Sequence, residues 1–114
     1  MPAALGRGLN DVTQVIEAPS SVTVRNAGDF AGVLLGAVQE GGDIDIDLSD
    51  LAEVDLSFVQ LLLAARAHVE QEGARFGLAQ PAVPALAALL DRAGFLGDLR
   101  PADIEFWFHG ELPQ

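Results

Sequence analysis

The segment Asp43-Ile-Asp-Ile-Asp-Leu48 constrains the fold more tightly than any other stretch of this chain. Its unbroken alternation of acid and aliphatic has the period of a β-strand, so Ile44, Ile46 and Leu48 share one face and Asp43, Asp45 and Asp47 the other. Gly41-Gly42, just before it, is a stop for a preceding helix. One face of the sheet that holds this strand must stay wet. That excludes a doubly wound sheet, whose central strands are apolar on both faces. The acids also raise the question of a metal. A calcium loop starting at Asp43 would need Gly where the chain has Leu48 and a bidentate Glu where it has Val54. Same-face side chains of a strand stand roughly 6.5–7 Å apart, too far to close on one ion, so a solvated face is expected and no metal.

Helix and strand periods alternate around this segment. Asp11 to Ala18 alternates with enough β-branching for a strand, Pro19-Ser20 breaks it, and Ser21 to Arg25 makes a second. Asn26 stands where a helix cap would, and Phe30, Val33, Leu34, Ala37 and Val38 then fall on one stripe. A loop through Asp55 leads to a helix from about Ser57 to Gly73, and Arg75 to Ala79 reads as a short strand. Pro84 suits the first position of another helix, with Leu86, Leu89, Leu90 and Ala93 on one face and Gly94 as its stop. In the tail, Pro101 can open a helical turn through Phe108, or Ile104 to Phe108 can form a strand; the helical turn is preferred. Phe106-Trp107-Phe108 must bury at least two rings, against the domain or against a partner or second copy. The expected order is β-β-α-β-α-β-α, with a flexible lead-in at 1–11, one domain at 12–97 and a tail with an aromatic cluster at 98–114.

Composition removes several classes of function. Seventeen acids face six Arg and no Lys, a formal net charge of −11. Such a surface repels phosphate backbones and anionic bilayers, so neither nucleic acid nor membrane is an expected partner. A hydrophobic content of 50% over 114 residues supports one core without staples. There is no Cys, and His68 and His109 are far apart, leaving little for zinc or His-based catalysis. No phosphate-cradling glycine motif occurs, and acids on a strand face are a poor basis for acid–base chemistry; no cofactor and no enzymatic activity are expected. No apolar run reaches the roughly 18 residues of a membrane span. MPAALGRGLN lacks the layout of a signal peptide, and a cytoplasmic protein is expected.

Function then turns on Val54-Asp-Leu-Ser-Phe-Val-Gln-Leu-Leu-Leu63. With Ser57 as the helix cap, Gln60 completes an S-x-x-Q capping box and Leu56 staples to Leu61. With Asp55 as the cap, Ser57 projects from the first turn with its hydroxyl free, at a helix start that can accommodate a phosphate. Phe58, Leu61, Leu62, Ala65 and Val69 make a core stripe, and Val59 and Leu63 widen it into either a docking face or a deeply buried helix.

A strand ending in Asp47-Leu-Ser49, a short loop, and Asp55-x-Ser57 opening an apolar helix resemble the STAS domain, the anti-sigma-factor antagonist fold, whose turn is typically Asp-Ser-Ser-Gly or Asp-Thr-Ala-Gly. The resemblance spans about residues 12–97 and is most specific from Asp47 to Leu63. It implies an α/β fold, a small mixed sheet with helices packed mainly on one face, and protein binding without catalysis. In phosphorylated members the second hydroxyl residue of the turn is the target of a serine kinase that is also the anti-sigma factor. That position here is Ser57, so the resemblance implies Ser57 as phosphoacceptor and Asp55, Leu56, Ser57, Phe58, Val59, Gln60 and Leu63 as the partner-binding face. Leu56 stands where the family often has a small hydroxyl residue, and Phe58 where it usually has Gly. Other relatives are constitutive scaffold subunits of phospholipid-transport ABC or chemosensory complexes, in which Ser57 would only cap the helix. A monomer or weak dimer fits either role.

Overall fold

The computed structural model describes residues 13–111. Strand β1 (Thr13–Glu17) is followed by β2 (Ser21–Val22), helix α1 (Ala27–Glu40), β3 (Asp43–Asp47), β4 (Glu53–Val54), α2 (Leu56–Gln71), β5 (Phe76–Leu78), α3 (Pro84–Arg92), a 3₁₀ turn (Phe95–Asp98) and α4 (Pro101–Phe108). The lead-in expected at 1–11 lies outside the described residues. Among those residues, no helix is long and apolar enough to cross a membrane.

The α/β class expected from the sequence holds, and the strand pairing corrects one part of it. The sheet is not mixed among the described residues. β1, β3 and β5 form one parallel sheet in that order, and β2 pairs with β4, also in parallel. The reason is connectivity. Each neighbour in the larger sheet is reached through a helix, and a strand–helix–strand crossover returns the chain in the same direction. The opening pair of strands is not a hairpin, because β1 and β2 do not pair with each other.

Alternation in Asp43–Asp47 behaves as its period demands. Ile44 and Ile46 are fully buried, while the three Asp keep partial exposure. In register, Ile16 lies beside Ile46, and Phe76 and Leu78 lie beside Ile44 and Ile46, so one apolar face runs across all three strands. Helices α1 and α2 cover that face, Phe30 of α1 meeting Phe58 of α2 with ring centroids 5.5 Å apart. The opposite face stays open, with Arg75 reaching Asp45 at 3.4 Å.

Several local expectations shift. β2 ends at Val22 rather than Arg25, because Asn26 folds the chain back: its Oδ1 accepts from the Thr23 N–H at 2.8 Å and its Nδ2 donates to the Ser21 carbonyl at 2.8 Å. Asn26 stands at the N-cap position of α1, as its spacing suggests, but those bonds occupy its side chain, which makes no capping bond to the helix. Val33, placed on the buried stripe by its spacing, is 54% exposed, since Phe30, Leu34 and Ala37 alone fill the seam. The loop after Asp47 contains the additional strand β4. The tail is helical, as preferred, and all three rings are buried in the domain. Phe106 stacks on Phe76 at 6.1 Å, and Arg66 of α2 lies 4.5 Å above the Phe106 ring while pairing with Asp103.

Candidate functional site

The site lies at the carboxyl ends of the parallel strands, where β3 and β4 deliver their loops to the start of α2. Asp55, not Ser57, is the N-cap of that helix. Its backbone is extended, and its Oδ1 accepts from the Ser57 N–H at 2.9 Å. The capping box with Gln60 and the Leu56–Leu61 staple are therefore not formed. Nor is the Ser57 hydroxyl free, as the Asp55-cap alternative would have it: it donates to the same Oδ1 at 2.5 Å. Asp55 Oδ2 meanwhile accepts from the Val24 N–H at 2.8 Å, and the Asp55 N–H reaches the Val22 carbonyl. One carboxylate thus fastens the start of α2 to the turn between β2 and α1.

A second carboxylate organises the neighbouring loop in the same way. Asp47 Oδ1 accepts from the Ser49 N–H at 2.9 Å, the Ser49 hydroxyl at 2.7 Å and Gln80 Nε2 at 2.8 Å. Gln80 returns the bond by accepting from the Leu48 N–H at 2.8 Å. Asp47 is therefore a loop anchor as well as part of a wet strand face. The sequence contained a signal for this. Asp47-Leu-Ser49 and Asp55-Leu-Ser57 are the same tripeptide, and each Asp gathers the N–H and hydroxyl of the Ser two residues on.

The donors set the electrostatics. The Ser57 hydroxyl, with the Val24 N–H behind it, holds the Asp55 carboxyl below its ordinary range; the Gln80 amide and then Ser49 do the same for Asp47. Folded-state values below the unfolded ones mean stability that is fully present above about pH 4 and is lost as acid protonates the folded carboxyls. Asp55→Ala is expected to lower the melting temperature at pH 7, and the gap from the parent protein should narrow as pH falls below about 4. Thermal melts of both proteins across that range provide the check; a constant gap would separate the cap from its charge.

The structure divides the sequence-derived face in two. Asp55 and Ser57 are half-buried in the network, Leu56 is 41% exposed, Gln60 is exposed and Leu63 is half-buried. Phe58 and Val59 are fully buried, and this corrects their assignment to partner binding: both point from the first turn of α2 into the core. Sequence reasoning missed Val24, which is 76% exposed and sits on the turn that Asp55 holds. Its lone position in a presumed strand offered no cue. Among the described residues, no cluster of three His, Cys, Asp or Glu side chains could hold a metal.

This architecture, a small parallel sheet with helices on one face and an Asp-x-Ser helix start at its carboxyl edge, defines a STAS-type domain. A family model described as "Mlab, STAS domain" matches residues 5–101. The chain belongs to the STAS domain family. No curated protein matches the chain.

Proposed function

We propose that the chain is a non-catalytic protein-binding module that docks its partner on the outer surface of α1 and α2, from the Asp55-anchored helix start upward. The observation that carries this reading is the distribution of charge. In a chain of net charge −11, no charged residue lies between Asp29 and Glu40 on α1, or between Asp55 and Arg66 on α2. Large apolar side chains stand exposed there: Val33 at 54%, Leu35 at 57% and Leu56 at 41%, with Val24 beside the helix start. Between the helices runs an apolar groove of about 420 Å³ lined by Leu34, Leu35, Val38, Leu61 and Ala65. An uncharged, apolar-rich surface on an otherwise acidic molecule is the composition of a protein interface. Non-catalytic action agrees with the structural use of the two carboxylates: Asp55 accepts on both oxygens and Asp47 Oδ1 accepts from three donors, all of them holding loops in place.

A second reading adds regulation, and the Ser57–Asp55 bond favours it. Phosphate on Ser57 would remove the donor that Asp55 now accepts and set about −1.5 to −2 charges against that carboxylate. Because Asp55 also holds Val24, the disturbance would reach the turn between β2 and α1. Without phosphorylation the same face serves a constitutive adaptor, and Ser57 only locks the helix start.

Tagged protein recovered from its own cells should carry a stoichiometric partner, which Leu56→Glu or Leu35→Glu should lose while melting as the parent does. Retention by both variants would reject the face. The Ser57 peptide, mapped by mass spectrometry before and after phosphatase, decides between the two readings. A switch requires phosphate there and a Ser57→Asp variant that folds but releases the partner. For the adaptor, Ser57→Ala should keep the partner at a stability cost of about 1 kcal/mol.

A further inference from the structure

The two edges of the three-stranded sheet are treated differently. On β5, Ile44 N–H donates to the Arg75 carbonyl and Ala79 N–H to the Ile46 carbonyl, so the backbone groups of Phe76 and Leu78 turn outward. The domain closes that edge with α4, and His109 Nε2 lies 2.9 Å from the Leu78 carbonyl. On β1, Ala18 N–H donates to the Asp47 carbonyl, which turns Gln14 and Ile16 toward β3 and the N–H and C=O groups of Thr13, Val15 and Glu17 outward. No described strand pairs with that side. Val15 is 61% exposed, and Thr13–Glu17 contains no Lys, Pro or bulge, the usual devices that keep an edge from pairing.

We infer that β1 is a self-association edge, pairing antiparallel with β1 of a second copy about a two-fold axis through Val15. The sequence Thr-Gln-Val-Ile-Glu is self-complementary in that register. Val15 exchanges both backbone bonds with Val15 of the second copy, and Thr13 with Glu17 of the second copy, in both directions. Apolar meets apolar at the centre. At the flanks a hydroxyl donor meets a carboxylate, and no like charges stand directly opposite. The result is a continuous sheet across two domains. One strand's width buries little area, so the dimer is weak. The net charge of −11 on each copy opposes it, and salt should strengthen it by screening. The edge is separate from the α1–α2 face, so a dimer leaves that face open on both copies.

The test is amide exchange by NMR on the full chain over about a hundredfold dilution series, with sedimentation velocity on the same samples. Val15 and Glu17 amide protection should rise in step with the dimer fraction. Val15→Lys, at an exposed position, should weaken association by at least about tenfold and leave the dilute-state melt unchanged. Three results would overturn the inference. One is a monomer throughout with both amides unprotected. Another is protection of both amides at every concentration, which would mean that another part of the same chain covers the edge. The third is a dimer that Val15→Lys does not disturb.

Discussion

Replacing Val59 with Glu is expected to leave no folded protein to assay, whereas Leu56→Glu, three residues earlier on the same helix, should fold normally and fail to dock. Val59 is fully buried in the first turn of α2 and belongs to the hydrophobic core. A carboxylate there has no partner and no short route to water. Burying it costs about 4–5 kcal/mol or more, which takes the whole reserve of a domain at the lower end of the usual range of roughly 5–15 kcal/mol. Leu56 is 41% exposed, and a Glu at its place enters the first helical turn, where the dipole favours an acid. Circular dichroism and thermal melts of the two variants decide the matter. A folded Val59→Glu protein that had lost its partner would return Val59 to the docking face and overturn the division of the helix start made above.

Trp107→Ala should be nearly as damaging, although it lies in what the sequence presents as a tail. Trp107 is 2% exposed, sits edge-on to Phe106 at 4.7 Å, and its carbonyl accepts from the Ala82 N–H at 2.7 Å. Deleting a buried indole costs about 3–5 kcal/mol in transfer and cavity terms. For a domain of this length that lowers the melting temperature by roughly 10 °C or more. The loss should extend to the β5 edge, because α4 carries both Phe106, stacked on Phe76, and His109, at the Leu78 carbonyl. Hydrogen exchange in β5 would report this. A variant with parental stability and unchanged β5 protection would show that α4 is an appendage rather than part of the core.

What could be read in advance follows the range of the interactions. The wet face of Asp43, Asp45 and Asp47 is set by a two-residue period, and the ends of α1 and α3 by Gly41 and Pro84; none of these needs a distant partner. Strand β4 escaped because its two residues are a strand only through Ser21 and Val22, some thirty positions earlier. Val33 was placed on the wrong side for a related reason. Helical spacing gives the direction of a stripe, but the width of the seam it fills depends on the facing helix.

The paired Asp-Leu-Ser tripeptides separate the two kinds of information. Sequence alone determines the local turn: an Asp carboxylate two residues before a Ser gathers its N–H and hydroxyl at both sites, because all the atoms involved lie within one short segment. Only the tertiary structure decides what the middle residue does. Leu48 follows β3 into the core and is fully buried, while Leu56 opens a helix whose first turn buries Phe58 and Val59 and leaves Leu56 in solvent. A side chain's burial depends on what packs over it, and a tripeptide does not contain that information.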